Sequence, residues 1–267
     1  MRSCFNLNRE TKFLIKAGVI VATVAVVAIT ASVTACTSRN NPPLIFAAAS
    51  LVDVMEEIAA AYEEDTGRKV RFNFAGSNLI ANQIIAGAPA NGVIVAGWTP
   101  IHKLISADKM SQDDATHILS NRLVVVRQSS DDRSINDLEE LVETARIAMP
   151  DPDTAPAGEY FEALFRERGL WEQLKPQIIP TLDARAALAA ASTGTVPYAL
   201  VYQTDAASTQ NVEIAFEIES SSDATEPKYY TALLHDDEAS QAFIEFLATP
   251  RAVAIFEHHG FTPHPSH

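Results

Sequence analysis

The sequence predicts an α/β fold in which helices cover both faces of mainly parallel sheets. Apolar, strand-like runs recur along the chain, and a run with helical periodicity follows most of them. Hydrophobic residues make up 47% of the 267 residues and charged residues 20%, which is typical of a globular protein. Strands that alternate with helices of about 10–15 residues indicate parallel sheets with helices packed on both sides.

The individual elements follow from the period of the apolar residues. Val54, Ile58 and Tyr62 recur at helical spacing, whereas the run 69–74 alternates apolar and polar residues as a half-buried strand does. The predicted strand–helix units, in chain order, are 44–49 with 52–64, 69–74 with 79–86, 92–97 with 100–107, 122–128 with 134–144, 146–150 with 157–168, 178–180 with 184–191, and 198–202 with a short helix. Two further strands at 213–218 and 229–235 precede helices at 238–248 and 251–258.

Two changes between polar and apolar sequence divide the predicted domain. A continuous apolar strand follows polar residues near 120–128, and a polar break at 220–227 precedes the last strand. We therefore expect one lobe, lobe I, to comprise residues 44–121 plus 223–267. Residues 122–222 form the predicted lobe II, and the chain crosses between the lobes twice.

The N-terminal segment has the features of an export signal. Four basic residues precede an apolar run over 17–35, and Val33-Thr34-Ala35-Cys36 matches the lipobox of bacterial lipoprotein signal peptides. We predict that residues 1–35 are a lipoprotein signal peptide and that 36–43 form a tether lipidated at Cys36. The alternative is an uncleaved transmembrane anchor, because 19 apolar residues just suffice to span a bilayer. Both interpretations place the domain outside the cytoplasm, on the periplasmic or cell-surface side of a membrane.

Cysteine content and charge exclude several function classes. The two cysteines, Cys4 and Cys36, both precede the predicted domain, so no disulfide, thiolate metal site or cysteine nucleophile is expected in it. The formal net charge is −14, and removal of the basic signal peptide makes the remaining chain more acidic still. A chain of this charge is a poor candidate for binding nucleic acid.

Four predicted helices begin directly after a strand, at residues suited to capping. These residues are Ser50 (with Asp53 as a capping box), Ser77, Asp153 or Thr154 (followed by Pro156 at the first helical position), and Asp183. Caps are expected in any α/β protein, but small residues beside three of them allow a ligand to approach the backbone amides closely. Helix N-termini at the carboxyl ends of strands therefore indicate a site for a small anion.

Several short motifs resemble one family of transport proteins. They are Phe46-Ala47-Ala48-Ala49-Ser50-Leu51, Phe74-Ala75-Gly76-Ser77, Gly87-Ala88-Pro89-Ala90, Asn121-Arg122-Leu123-Val124-Val125-Val126, Asp151-Pro152, Pro156-Ala157-Gly158-Glu159-Tyr160, Leu200-Val201-Tyr202, Asp205-Ala206 and Gly260-Phe261-Thr262. In this order and spacing the sequence resembles the periplasmic molybdate-binding proteins of ABC transporters over about residues 44–262. It departs from the family pattern at Asn78-Leu79, Asn91-Gly92 and Gly97-Trp98.

The resemblance implies a fold, a ligand site and a partner. The implied fold is that of a type II periplasmic binding protein, with two Rossmann-like lobes of mixed parallel sheets joined by two crossing strands. The implied oxyanion donors are Ser50 and Ser77, the amides of Ala157 and Ala184, and the phenol of Tyr202. The resemblance implies no cofactor and an ABC permease as partner, and we expect the protein to be a monomer.

The implied donors suit a fully ionised oxyanion. Molybdate and tungstate offer only acceptors at neutral pH, so neutral donors fit them, whereas hydrogen phosphate would favour one acceptor for its proton. Sequence alone separates neither molybdate from tungstate nor either of them from sulfate.

Two other function classes are weaker alternatives. A serine hydrolase would use Ser50 as nucleophile, but no Gly-x-Ser-x-Gly motif surrounds it, and the class requires a histidine within reach. The histidines at 258, 259, 264 and 267 lack regular ligand spacing, so we predict no metal site and interpret them as a helix end and tail. We therefore predict a binding protein with no catalytic residues.

Overall fold

The first of two sheets combines strands from both ends of the domain. The computed structural model describes residues 41–132, 134–143, 146–220, 222 and 225–264. With strands numbered in chain order, the first sheet comprises β1 (Leu44–Ala48), β2 (Arg71–Ala75), β3 (Gly92–Ala96), β4 (Thr116–Ser120), β10 (Lys228–Leu233) and β11 (Thr262–Pro263). Their order across the sheet is β11-β4-β10-β3-β1-β2. Strand β1 pairs parallel with β2 and β3, whereas β10 runs antiparallel to β3 and β4, so the sheet is mixed.

The second sheet is formed by the middle of the chain. It comprises β5 (Leu123–Gln128), β6 (Ile147–Pro150), β7 (Ile178–Thr181), β8 (Tyr198–Tyr202) and β9 (Val212–Ile218). Their order is β7-β6-β8-β5-β9. Strand β6 pairs parallel with β7 and β8, while β5 runs antiparallel to β8 and β9.

The chain passes between the two sheets twice. It leaves the first sheet after Ser120 and enters the second at Leu123, and it returns between Ile218 and Lys228. Below, lobe I denotes the first sheet with its helices and lobe II the second sheet with its helices. The predicted fold class, α/β with two lobes of mixed sheets, is confirmed. The described residues from Pro42 onward belong to one compact unit.

Helices follow most of the strands. In lobe I they are α1 (Val52–Thr66), α2 (Ser77–Ile85), α3 (Trp98–Ser106), α9 (Glu238–Phe246) and α10 (Pro250–His258). In lobe II they are α4 (Leu138–Val142), α5 (Pro156–Glu167), α6 (Trp171–Leu174), α7 (Ala184–Ser192) and α8 (Gln203–Ala207). Short 3₁₀ turns occur at Ala49–Leu51, Gln112–Asp114 and Lys175–Gln177.

Strand β1 shows that helices cover both faces of the first sheet. Ile45 and Ala47 point into the apolar cluster that also holds Ile58 of α1. Phe46, between them, belongs to the cluster on the other face, with Ile80 of α2. Because successive side chains of a strand point to opposite faces, β1 is buried on both sides. This burial explains why its sequence is a continuous apolar run.

Two strands and part of a helix differ from the sequence predictions. Strands β4 and β11 were not predicted, because the polar run of β4 becomes a strand only through pairing with β10. The helix predicted over 134–144 is limited to Leu138–Val142, where Asp137 Oδ1 accepts a hydrogen bond from Glu140 N at 2.8 Å.

The predicted signal peptide and the lipidation site Cys36 lie outside the described residues. Within the part of the chain that the structure describes, no helix is both long and apolar enough to cross a membrane.

Candidate functional site

The five predicted ligand residues line one small cavity between the lobes. The space that the centre of a water-sized sphere can occupy in it is about 20 Å³. The lining residues are Ala48, Ala49, Ser50, Gly76, Ser77 and Ala96 of lobe I and Ala155, Pro156, Ala157, Asp183, Ala184 and Tyr202 of lobe II. The structure thus brings together all four predicted helix starts and the tyrosine at the end of β8.

Ser50 does not cap helix α1, which corrects the sequence prediction. It lies in the 3₁₀ turn Ala49–Leu51, and α1 begins at Val52 without a side-chain cap. Its hydroxyl instead lies 2.9 Å from the hydroxyl of Tyr229, at the start of β10. Ser50 is buried at the wall of the cavity, so its side chain serves the cavity rather than the helix end.

Ser77 occupies the first position of α2, where Gly76 is the N-cap residue. Its Oγ accepts a hydrogen bond from Ala96 N at 3.0 Å, and this bond ties the start of α2 to the end of β3. A Cβ atom at Gly76 would lie 2.9 Å from the carbonyl oxygen of Thr154 in lobe II. The absence of a side chain at Gly76 therefore lets the two lobes approach closely beside Ser77.

Helix α5 contributes its first turn to the cavity from lobe II. Pro156 occupies its first position, as predicted, but the N-cap residue is Ala155, and neither Asp153 nor Thr154 caps the helix. Thr154 instead donates its hydroxyl to Leu182 O at 2.9 Å. The amide of Ala157 lies in the first helical turn, where amides lack an intrahelical acceptor.

Helix α7 contributes the fourth helix start. Asp183 is its N-cap, as predicted, and Asp183 Oδ1 accepts a hydrogen bond from Ala186 N at 2.9 Å. Ala184, the first residue of the helix, is buried against the cavity. Because Asp183 is engaged in the cap, its carboxylate leaves the amide of Ala184 free for another acceptor.

Tyr202 contributes the one tyrosine hydroxyl among the described lining residues. Among the described residues its oxygen has no hydrogen-bond partner, although the side chain is buried. Burial raises the pKa of Tyr202 well above its ordinary value, because water no longer stabilises the phenolate. The hydroxyl therefore stays protonated and can act as a donor.

The cavity is electrostatically suited to an acceptor-only anion. None of its described lining residues is basic, and the one carboxylate among them, Asp183, is occupied by its cap. The positive ends of α2, α5 and α7 face the cavity with their first-turn amides. The donors are neutral, so an anion would be held by hydrogen bonds and helix dipoles.

Glu159, in the first turn of α5, joins the lobes beside the cavity. Its Oε1 accepts a hydrogen bond from Asn78 Nδ2 at 2.6 Å, and its Oε2 accepts one from Thr99 Oγ1 at 2.6 Å. Asn78 belongs to α2 and Thr99 to α3, both in lobe I. Asn78 is one of the departures from the family pattern, and no local pattern in the sequence predicts the contact of Glu159 with it.

Gly97, a second departure, also lies at the contact between the lobes. Its φ is 76°, and a Cβ atom would lie 2.8 Å from Cβ of Pro156. Glycine at this position permits both the left-handed backbone and the close approach of Pro156. Asn91, the third departure, has a different role: its Oδ1 accepts a hydrogen bond from Leu44 N at 2.9 Å within lobe I.

A larger cavity of about 340 Å³ adjoins Ser50 on its other side. Arg185 of α7 lines it and contacts Asp53 of α1 across the lobes. Nε of Arg185 also forms an ion pair with the fully buried Asp205, 2.8 Å from its Oδ1. The geometry of this contact does not meet the criteria for a hydrogen bond. Burial raises the pKa of Asp205 to about 6, and the nearby Arg185 limits the rise.

Sequence reasoning missed Tyr229, Arg185 and the roles of Asp205 and Asn121. Asn121 and Asp205 belong to the motifs that carry the family resemblance, but Tyr229 gave no signal beyond its place in an apolar strand. A buried hydroxyl at the start of a strand becomes informative only when the fold shows what it faces.

The structure also places the residues of the two alternative function classes. Among the described residues, the hydrogen-bond partner of Ser50 Oγ is the hydroxyl of Tyr229. In the described ranges no group of three or more His, Cys, Asp or Glu side chains could hold a metal ion. His264 stacks on His117 with ring centroids 4.1 Å apart.

Comparison with known proteins identifies a family and a fold. A family model described as bacterial extracellular solute-binding protein matches residues 43–262. The molybdate-binding protein ModA of Escherichia coli (strain K12) is 33% identical over 230 residues, which cover 82% of this chain and 88% of the relative.

Two solved structures share the fold at lower sequence identity. The periplasmic molybdate-binding protein of Azotobacter vinelandii superposes with a TM-score of 0.69 at 18% identity, covering 82% of this chain and 98% of that one. The sulfate-binding protein SubI of Mycobacterium tuberculosis H37Rv superposes with a TM-score of 0.71 at 17% identity, covering 83% and 86%.

Proposed function

Because the chain belongs to the bacterial extracellular solute-binding proteins, we propose that it captures one tetrahedral oxyanion, molybdate or tungstate, between its lobes. The observation that carries the proposal is that Ser50, Ser77, Ala157, Ala184 and Tyr202 line one cavity. The identity to a named molybdate-binding protein supports the choice of ligand.

The chemistry of the cavity favours a dianion without protons. Three hydroxyls and two first-turn amides can each donate to an oxygen of the ligand, and hydrogen bonds to a charged group contribute roughly 1.5–3 kcal/mol each. Several such bonds suffice for micromolar to nanomolar affinity without a basic side chain. Because burial keeps the Tyr202 phenol protonated, the affinity should not change between about pH 7 and 9.

We further propose that the protein acts outside the cytoplasm as a monomer and delivers its ligand to an ABC permease. Cys36 is the proposed lipid anchor, after removal of residues 1–35, with 36–43 as the tether. The proposed lobe boundaries remain 44–121 plus 223–267 and 122–222. The proposed role is to bind the ligand without transforming it, and the description of the matching family as solute-binding proteins supports this.

Calorimetric titration of the purified protein tests the ligand class. Molybdate, tungstate, sulfate and phosphate are added separately under the same buffer and ionic strength. We expect molybdate and tungstate to bind at one site per chain and more tightly than the other two anions. If sulfate binds most tightly, it replaces molybdate or tungstate as the proposed ligand. If none of the four anions binds, the proposal is refuted.

A further inference from the structure

Ser50 lies at the end of a chain of buried, hydrogen-bonded side chains that connects both lobes. Its Oγ lies 2.9 Å from Tyr229 OH, and Asn121 Nδ2 lies 3.3 Å from the same phenol. Asn121 Nδ2 also donates to Thr204 Oγ1 at 2.9 Å, in α8 of lobe II. All four side chains are buried, so water does not compete for these bonds.

The backbone fixes the orientation of the Asn121 amide. Arg122 N, which can only donate, lies 2.8 Å from Asn121 Oδ1. The carbonyl oxygen of the amide therefore faces Arg122, and its nitrogen faces Tyr229 and Thr204. Both hydrogens of the Asn121 nitrogen are then used, one for each hydroxyl oxygen.

The direction of the remaining bonds follows from that orientation. Tyr229 OH accepts from Asn121, and its single hydrogen has Ser50 Oγ as its acceptor. If Ser50 donated to Tyr229 instead, the phenolic hydrogen would be left without a partner in a fully buried position, at a cost in free energy. Tyr229 is therefore the donor and Ser50 Oγ the acceptor.

Ser50 and Ser77 therefore have the same hydrogen-bonding arrangement beside the cavity. Ser50 Oγ accepts from Tyr229, and Ser77 Oγ accepts from Ala96 N at 3.0 Å. In each serine the protein supplies a hydrogen to the oxygen, and the hydroxyl's own hydrogen is left for the cavity. The phenol of Tyr202 adds a third hydroxyl without a partner among the described residues.

We propose that Tyr229 and Asn121 are positioning residues that make the site select oxyanions carrying no proton. The bond from Tyr229 occupies one of the two lone pairs of Ser50 Oγ, so Ser50 offers its own hydrogen to the cavity and is a poorer acceptor for a ligand hydrogen. Hydrogen phosphate and hydrogen arsenate are disfavoured on this ground, although they carry the same charge as molybdate near pH 8. The inference rests on the proposed function, because it takes the cavity to be the oxyanion site.

The variant Tyr229→Phe tests the inference, with Tyr62→Phe as matched control. Both remove a phenolic oxygen from a buried tyrosine of lobe I, but Tyr62 packs against Phe243 and Phe246 and does not line the cavity. The affinities of the full-length protein for molybdate, sulfate and hydrogen phosphate are measured by calorimetry and competition near pH 8. Without Tyr229 OH, Ser50 can rotate to accept a hydrogen from the ligand.

We expect Tyr229→Phe to lower the ratio of molybdate to hydrogen phosphate affinity about tenfold or more, and Tyr62→Phe to leave it unchanged. If Tyr229→Phe folds poorly, Asn121→Asp provides the same test, because a carboxylate would draw the Tyr229 hydrogen away from Ser50. An equal loss of affinity for all oxyanions, with the ratio unchanged, would overturn the inference and leave the proposed function intact. If the parent protein binds no tetrahedral oxyanion, the inference and the proposed function are both wrong.

Discussion

Glu159 of lobe II accepts a hydrogen bond from Asn78 of lobe I, with Oε1 and Nδ2 2.6 Å apart. Its second carboxylate oxygen accepts from Thr99 in the same lobe. One carboxylate thus joins two helices of lobe I to α5, whose first turn lines the candidate site. Contacts of this kind stabilise the arrangement in which the four helix starts meet.

Glu159→Gln should favour separation of the lobes. Glutamine is uncharged, so the bond from Asn78 Nδ2 loses its charge assistance, and Thr99 keeps a bond only by turning from donor to acceptor. A weakening of about 1 kcal/mol corresponds to a roughly 2- to 10-fold shift toward the separated state. Paired fluorophores on the two lobes, read without ligand, should report a larger mean distance.

The matched control for this variant is Glu162→Gln, one turn later on the same helix. Glu162 pairs with Arg166 within α5 and makes no contact across the lobes in the described hydrogen bonds. The Glu162→Gln variant should leave the inter-lobe distance unchanged. If Glu159→Gln and Glu162→Gln give the same distance as the parent, Glu159 does not hold the lobes together.

Local signals explain which parts of the site were predictable. Asp183 caps α7 as predicted, because the cap depends on a backbone amide only three residues away. Ser50 has an equally good capping pattern, but Tyr229, 179 residues later, engages its hydroxyl. Glu159 and Asn78 are 81 residues apart, so their contact likewise depends on the fold and leaves no pattern in the sequence.

Asp205→Asn should change how stability depends on pH. The pKa of Asp205 is raised to about 6 by burial, whereas an unfolded carboxyl titrates near 4. Between these values the native state keeps a proton that the unfolded state has lost. The contribution of Asp205 is therefore greatest below about pH 4 and is lost as the pH rises through about 6.

Urea unfolding of the parent and of Asp205→Asn at several pH values measures this contribution. Asparagine does not titrate, so the free energy of unfolding of the parent should fall relative to the variant by roughly 2–3 kcal/mol between pH 4 and 7. A difference between the two proteins that stays constant over this range would show that Asp205 has an ordinary pKa in the native state.

Cys36→Ala should abolish lipid attachment. The proposed lipidation forms a bond to the Cys36 sulfur, and alanine offers no thiol. Metabolic labelling with a radioactive fatty acid should label the parent protein and not the variant, while Cys4→Ala should be labelled like the parent. A labelled Cys36→Ala protein of unchanged mobility would contradict the proposed anchor.

Tyr202→Phe is the most direct test of the proposed oxyanion site. The Tyr202 hydroxyl has no partner among the described residues, so its removal breaks no known bond and should not lower the free energy of unfolding. A bound anion would lose one donor, which is equivalent to roughly 1–3 kcal/mol, or a 5- to 150-fold weaker affinity. Calorimetric titration with molybdate should show this loss in Tyr202→Phe, a comparable loss in Ser77→Ala, and none in Tyr62→Phe. Parent-like molybdate affinity in both Tyr202→Phe and Ser77→Ala would place the binding site elsewhere in the protein.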